Sequence, residues 1–286
     1  MSSSLCVLGR FILNLYKEAD MNRNILKLFG RPKPKQSINI DFHLWTQLEA
    51  LYQNEPGTLE DVSLPTTHDI NIHFAAEGER ARKVVRRSNY RMTGKFPSFK
   101  NSRMMHWESH YEKMAFQLLE IAPFVVSYRE QPATFKFSNS EGFTQTHFPD
   151  LLVELANGRK LFIEIKPDSA KEDSVLMART SLLQDLIKQK GYRYLVIYPD
   201  QLESFYYLEN AKEILWHAKL PVPFPVQQKV QHYLSSEVEV TFKSLFQMLA
   251  DKEANAWIYQ LIMVGLIVCD LSILLTEQSI INLNLK

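Results

Sequence analysis

The sequence has little of what a disulfide-rich or zinc-binding protein needs. Its 286 residues include only two cysteines, Cys6 and Cys269. They lie far apart and in no pattern, so neither a disulfide framework nor a zinc site is indicated. This cysteine usage is typical of a reducing cytoplasm. The formal net charge is only +1, so total charge says little about partners, and local runs of charge are the better guide.

Long apolar runs without polar interruption are also scarce. The apolar segment 5–15 contains Arg10 and has no small-residue cleavage site. The run 257–275 contains Asp270, so it is more typical of a buried helix followed by a strand than of a membrane span. Hydrophobic residues make up 45% of the chain and charged residues 23%, which predicts a packed core and a cytoplasmic protein without a membrane segment.

The sequence does contain a strong hairpin signal between acidic residues. Residues 147–167 form two apolar segments around Asn157-Gly158, the typical composition of a hairpin turn. Glu164 and Lys166 share one face of the second strand because side chains alternate with a period of two. A two-residue loop would place Asp150 on the opposite face. We therefore predict a three-residue loop with a left-handed glycine, or an equivalent bulge, which pairs Asp150 with Glu164 on one face.

Two acids and a lysine in this arrangement suit metal-dependent cleavage of a phosphodiester. Mg²⁺ prefers carboxylate, carbonyl and water oxygens, and it activates water and offsets developing charge. We expect Asp150 to anchor Mg²⁺, or Mn²⁺ in its place. Glu164, the carbonyl oxygen of Ile165, and Glu112 from a preceding helix complete the set. Lys166 orients or deprotonates the water, or neutralises charge. The alternative is a surface hairpin with a Glu–Lys pair of little energetic value.

Residues 80–103 form a basic run. No acidic residue occurs between Glu79 and Glu108, and aromatic residues are interleaved with the lysines and arginines. Such a run predicts contacts with a nucleic-acid backbone that weaken with salt. A solvated linker would have the same composition, and this alternative stays open. The candidate DNA-binding residues are Arg86, Arg87, Arg91, Lys95, Lys100, Arg103 and Gln131.

The periodicities along the chain predict an α/β fold with a mixed sheet flanked by helices. We expect helices over residues 103–121 and 174–190. Strands are expected over 125–128, 134–137 and 192–198. We divide the chain into an N-terminal arm with a short helix (1–79), a catalytic domain (80–200) and a C-terminal domain (201–286).

The C-terminal domain has the order helix, helix, hairpin. Thr241 and Asn255 are suited to cap the two helices, and strands are expected over 267–274 and 279–285. This order predicts a winged-helix-like module. Because few basic residues occur there, we expect it to dock a protein rather than DNA.

Four motifs, in order and at fitting spacing, resemble the N-terminal domain of the TnsA family of transposon endonucleases. They are Ser109-His110-Tyr111-Glu112, Glu130-Gln131-Pro132, Phe148-Pro149-Asp150 and Glu164-Ile165-Lys166-Pro167. The segment 95–101 is similar to members carried by some CRISPR-associated transposons. The resemblance implies a restriction-endonuclease-like fold in which Glu112 is the helix-borne catalytic acid. It matches Asp150 and Lys166 to the metal ligand and the catalytic lysine, whereas some members have glutamine in place of Glu164.

The resemblance also implies partners and a reaction. Family members cut the non-transferred strand at the 5′ ends of the element. A TnsB-type transposase processes the 3′ ends, and a TnsC-type AAA+ ATPase docks on the C-terminal domain. The expected setting is the bacterial nucleoid. Two other hypotheses are a stand-alone restriction or repair nuclease and a DNA-bridging scaffold that does not cleave.

Overall fold

The computed structural model describes residues 43–53, 69–82, 92–138, 142–203 and 206–284. Arg86, Arg87 and Arg91 lie outside these residues, as does most of the predicted N-terminal arm. The strands are β1 (Ile70–Phe74), β2 (Gly94–Ser98), β3 (Arg103–Trp107), β4 (Val125–Glu130), β5 (Ala133–Ser138), β6 (Thr144–His147), β7 (Leu151–Leu155), β8 (Lys160–Ile165), β9 (Arg193–Ile197), β10 (Val240–Thr241), β11 (Ile267–Cys269) and β12 (Ile280–Leu283). The α-helices are α1 (Leu44–Gln53), α2 (His110–Ile121), α3 (Ser174–Gln189), α4 (Pro199–Glu203), α5 (Tyr207–His217), α6 (Phe224–Ser236), α7 (Phe242–Leu249) and α8 (Ala254–Met263).

A four-stranded sheet in the order β4-β7-β8-β9 separates two hydrophobic cores. The pairs β4–β7 and β7–β8 are antiparallel, and the pair β8–β9 is parallel. Alternate side chains of β8 divide between the cores. Leu161 and Ile163 pack with α2 and the C-terminal helices, whereas Phe162 packs with α3. The predicted mixed α/β fold is confirmed.

The β7–β8 hairpin has the predicted register. The amide of Leu155 donates to the carbonyl oxygen of Arg159 at 2.9 Å, and Gly158 closes the loop at φ +80°. A positive φ of this size suits glycine because other residues are strained there. The pairs run from Leu151–Ile163 to Glu154–Lys160. One step beyond them Asp150 lies opposite Glu164, so the predicted three-residue loop is confirmed.

The helix predicted over residues 103–121 is wrong in its first third. Residues 103–107 form β3, which pairs with β2. The ring of Trp107 covers Gly94 so closely that a Cβ there would lie 2.3 Å from a ring carbon. The helix begins at His110, where the hydroxyl of Ser109 accepts a hydrogen bond from the amide of Glu112. The apolar residues of β3 happened to continue the helical spacing of α2, so periodicity alone extended the helix too far.

The C-terminal segment follows the predicted element order with shifted boundaries. Thr241 caps α7 through a reciprocal bond with Ser244, as expected. Asn255 lies inside α8 rather than at its cap, and the strand expected over 267–274 ends at Cys269. A Cβ on Gly265 would lie 2.5 Å from Cβ of Pro123, so this segment packs directly against the end of α2. The winged-helix assignment and the domain division at residue 200 stay predictions.

No helix within the described residues combines the length and apolarity that crossing a membrane requires.

Candidate active site

The hairpin brings Asp150, Glu164 and Lys166 together at one end of the central sheet. Oδ2 of Asp150 accepts a hydrogen bond from the amide of Ile165 at 2.7 Å. Glu164 is 3% exposed, and the ammonium of Lys166 contacts its Oε1. The amide of Lys166 in turn donates to the carbonyl oxygen of Ile197 on β9. Main-chain bonds on both sides therefore hold this end of β8 in place.

Glu112 approaches the pair from the first turn of α2. Its carboxylate accepts from the amide of Glu108 at 2.8 Å and from the hydroxyl of Ser109 at 3.1 Å. Glu112 thus caps the start of its own helix, with the amide of the residue before the N-cap as its main-chain donor. Burial raises the pKa of Glu112 to about 7, and the nearby charges of Glu108 and Glu164 add to the rise. Glu112 therefore lies within electrostatic range of the strand acids while its oxygens face its own helix terminus.

The three acids titrate differently because their surroundings differ. Burial, followed by the charges of Glu164 and Glu112, raises the pKa of Asp150 well above its ordinary value. Burial alone would also raise the pKa of Glu164, but the contacts with His147 and Lys166 lower it overall. Glu164 is therefore the ionised member of the group, whereas Asp150 and Glu112 hold protons more strongly than ordinary carboxyl groups.

This donor set fits a hard divalent cation in chemical kind. Carboxylate oxygens are what Mg²⁺ prefers, and a cation would offset both the burial and the neighbouring acids that raise the pKa values of Asp150 and Glu112. Within the described residues, however, no three His, Cys, Asp or Glu side chains are already grouped as a metal site. The carboxylate of Glu112 is held at the start of its own helix by Glu108 and Ser109. The roles of these residues and of the Ile165 carbonyl oxygen stay predictions.

A buried polar group that sequence reasoning missed lies behind Glu164. Nε2 of His147 is 2.9 Å from the hydroxyl oxygen of Tyr194 and 3.2 Å from Oε2 of Glu164. The guanidinium of Arg179, on α3, is 2.9 Å from Nδ1 of the same ring. No local pattern marks Tyr194, because its position depends on the register of the parallel β8–β9 pair, in which it lies beside Phe162.

The candidate DNA contacts divide into exposed and internally bound cations. Lys95 is exposed on β2. Lys100 instead donates to the carbonyl oxygens of Ala122 and Val125, where burial lowers its pKa to about 8. Arg103 makes two hydrogen bonds to the buried carboxylate of Glu130, at 2.8 and 2.5 Å. In this arrangement neither Lys100 nor Arg103 offers a free cation to a phosphate.

Gln131 is also engaged inside the protein. Its backbone has a φ of +43°, which is unusual for a residue other than glycine. Its amide donates to the carbonyl oxygen of Asp150 at 2.7 Å, and its side-chain nitrogen donates to Glu108 at 2.6 Å. Glu108 also pairs with Arg82 at 2.8 Å. Gln131 thus connects the main chain of Asp150 to the residue that precedes the cap of α2, and its predicted contact with DNA stays untested.

Two acids and a lysine on adjoining strands of a mixed sheet define a nuclease-type site. Residues 122–198 match the sequence family described as TnsA-like endonuclease N terminal. The match runs from the end of α2 through β9 and includes Asp150, Glu164 and Lys166, but not Glu112. The chain thus contains a TnsA-like endonuclease domain with a fold consistent with that of restriction endonucleases, and the predicted resemblance is confirmed over this segment. No curated protein matches the chain.

Proposed function

We propose that the protein is a Mg²⁺-dependent DNA endonuclease that cleaves the non-transferred strand at the 5′ ends of a transposon. The observation that carries the proposal is the hairpin register, which sets Asp150 and Glu164 on one face with the ammonium of Lys166 in contact with Glu164. The match to the TnsA-like endonuclease domain over the same strands supports the reaction class.

The residues have separate roles in this proposal. Asp150, Glu164 and the Ile165 carbonyl oxygen would hold the cation, and Glu112 would join them after leaving its position at the helix start. When bound, the metal supplies an activated water molecule and offsets charge on the phosphoryl oxygens. Lys166 leaves Glu164 to orient the water or to neutralise charge at the reacting phosphate. The amide of Ile165 keeps Asp150 oriented while these side chains exchange partners.

The proposed partners are element-end DNA, a TnsB-type transposase and a TnsC-type ATPase. The C-terminal segment is the proposed docking module for the ATPase. Several apolar side chains are exposed there, including Phe246 on α7 and Ile280 on β12. Exposed apolar residues of this kind are more typical of protein contacts than of phosphate contacts.

The test is strand-resolved cleavage of element-end DNA with Mg²⁺, with and without the partner transposase. Wild-type protein should cut the non-transferred strand. Asp150→Ala and Lys166→Ala should lower the rate by on the order of 10³-fold or more, since each removes a group that acts at the reacting phosphate. DNA affinity should change little because neither residue belongs to the basic run.

Two matched variants control for indirect effects. Lys160→Ala removes a lysine of the same strand that pairs with Glu154 at the surface, and Asp168→Ala removes an exposed acid just beyond Lys166. Both should cut at nearly the wild-type rate. If Asp150→Ala and Lys166→Ala cut the same strand as well as these controls, the site assignment is wrong. Equal cutting of DNA without element ends would instead favour a stand-alone nuclease.

A further inference from the structure

We propose that Arg179, His147 and Tyr194 form a chain of hydrogen-bond donors that positions Glu164 in the active site. The inference rests on the proposed function for the meaning of Glu164, but its geometry stands independently. The three residues come from α3, β6 and β9, so the chain ties three elements to one carboxylate. All act through Glu164 and are positioning residues.

The direction of the first link follows from the chemistry of arginine. A guanidinium is always protonated in proteins and can only donate hydrogen bonds. It lies 2.9 Å from Nδ1 of His147, so Nδ1 must be the accepting nitrogen. The ring hydrogen of a neutral imidazole then lies on Nε2. Arg179 therefore selects one tautomer of His147.

The second link joins His147 to Tyr194, and the third joins Tyr194 to Glu164. Nε2 of His147 lies 2.9 Å from the hydroxyl oxygen of Tyr194, which accepts from it. The contact of Nε2 with Oε2 of Glu164 is longer, at 3.2 Å, and Oε2 has no hydrogen-bond partner within the described residues. Because the hydroxyl oxygen of Tyr194 accepts from Nε2, its hydrogen is free to turn towards the unsatisfied Oε2 of Glu164, which borders the same ring nitrogen.

In the proposed network the hydroxyl of Tyr194 supplies the donor that Oε2 of Glu164 needs on the side away from Lys166. Lys166 contacts Oε1, whereas Oε2 faces His147. If Lys166 leaves to act on the substrate, Glu164 keeps an anchor to the protein. Residues that hydrogen-bond a metal ligand in this way typically change metal affinity or activity by about 10–100-fold when removed.

The decisive pair of variants is Tyr194→Phe and Tyr192→Phe. Both remove one hydroxyl from the same face of the same strand segment, and both rings pack in the second core. Tyr194→Phe should weaken Mn²⁺ binding and slow cleavage by about 10–100-fold, with unchanged DNA affinity. Tyr192→Phe should stay within about 3-fold of wild type, below that range. Equal behaviour of the two variants in both assays would overturn the proposal.

The tautomer of His147 gives a readout that does not depend on activity. In ¹⁵N-labelled wild-type protein the two-bond nitrogen–proton correlations should show a protonated Nε2 and an unprotonated Nδ1. Arg179→Met should produce a mixture of tautomers, and Arg179→Lys, which keeps a donor, should restore the wild-type pattern. A protonated Nδ1 in wild-type protein would contradict the proposed chain of hydrogen bonds.

The two proposals fail in different ways. If wild-type protein neither cuts nor binds Mn²⁺ but His147 responds to the Arg179 variants as expected, the proposed function fails and the hydrogen-bond chain stands. If cleavage depends on Asp150 and Lys166 but not on the Tyr194 hydroxyl, the proposed function stands and the positioning role fails.

Discussion

Two groups of buried carboxylates lie in one fold and are satisfied very differently. Glu120, at the end of α2, accepts four hydrogen bonds from described residues, from Ser98, Tyr128 and the amides of Phe99 and Lys100, at 2.5–2.9 Å. Within the described residues Asp150 accepts one hydrogen bond, from the amide of Ile165, and the acids Glu164 and Glu112 lie near it. A buried charge is stable only when it is paired or hydrogen-bonded. The first group therefore belongs to the frame of the protein, whereas Asp150 in the second has fewer donors and has neighbouring acids that raise its pKa.

The difference teaches which acids are structural and which are suited to a cation. Glu130 belongs with Glu120, because Arg103 and the amide of His106 satisfy it. Both anchor the β2–β3 hairpin to α2 and β4. Glu112 belongs with Asp150, since burial and neighbouring acids raise the pKa of both. Burial alone does not separate the two groups; the number of donors does.

The largest expected effect is on the stability of the protein, when a well-satisfied buried acid is removed. Glu120→Ala leaves several buried donors without an acceptor, so the free energy of unfolding should fall by about 3–5 kcal/mol. Urea denaturation measures the loss. The matched control is Glu154→Ala, which removes a half-exposed acid paired with Lys160 and should cost less than about 1 kcal/mol. Equal losses in the two variants would remove the distinction between the groups.

The next effect is the pH dependence of Glu112. Its pKa rises from 4.5 to about 7 on folding, so between these values the folded protein holds a proton that the unfolded chain releases. Raising the pH through this window therefore destabilises the metal-free protein, by at most about 3 kcal/mol and by less after solvent screening. Glu112→Gln keeps a capping acceptor but cannot ionise.

The measurement for Glu112 is urea unfolding in EDTA at pH 5 and pH 8. The free energy of unfolding of Glu112→Gln relative to wild type should increase between the two pH values by about 1–3 kcal/mol. A difference that stays constant with pH would show that Glu112 is not destabilised by its surroundings.

The smallest expected effect is on DNA binding, and it distinguishes two lysines of the β2–β3 hairpin. Lys95 is exposed, whereas Lys100 is bound to main-chain carbonyl oxygens. Lys95→Glu should weaken DNA binding severalfold and reduce the slope of log affinity against log salt by about 1. Lys100→Met should lower stability and leave that slope unchanged. The reverse result would show that Lys100 leaves its carbonyl partners to contact phosphate.

The sequence predicted local features of the site better than long-range ones. The loop around Gly158 and the shared face of Asp150 and Glu164 follow from turn chemistry and strand alternation, and both are observed. The boundary between β3 and α2 was missed because the apolar spacing is continuous across it. Tyr194 and Arg179 were missed because each lies more than 25 residues from His147 along the sequence. A parallel strand pair and a packed helix bring them next to it. No local pattern encodes that register.

The basic run shows the same limit. Composition identified the cations of residues 80–103, but it could not distinguish an exposed lysine from one that closes a helix terminus. That difference depends on Ala122 and Val125, whose carbonyl oxygens the fold brings to Lys100. The run is therefore partly structural in its described portion.

The most direct test of the central claim is calorimetric titration of Mn²⁺ into wild-type protein and Asp150→Asn at pH 8. Asparagine keeps the size of the side chain and an oxygen that accepts from the amide of Ile165. If these acids are held for a cation, wild-type protein binds Mn²⁺ and releases protons on binding, and Asp150→Asn loses most of the affinity. Equal affinity in the two proteins would contradict the account.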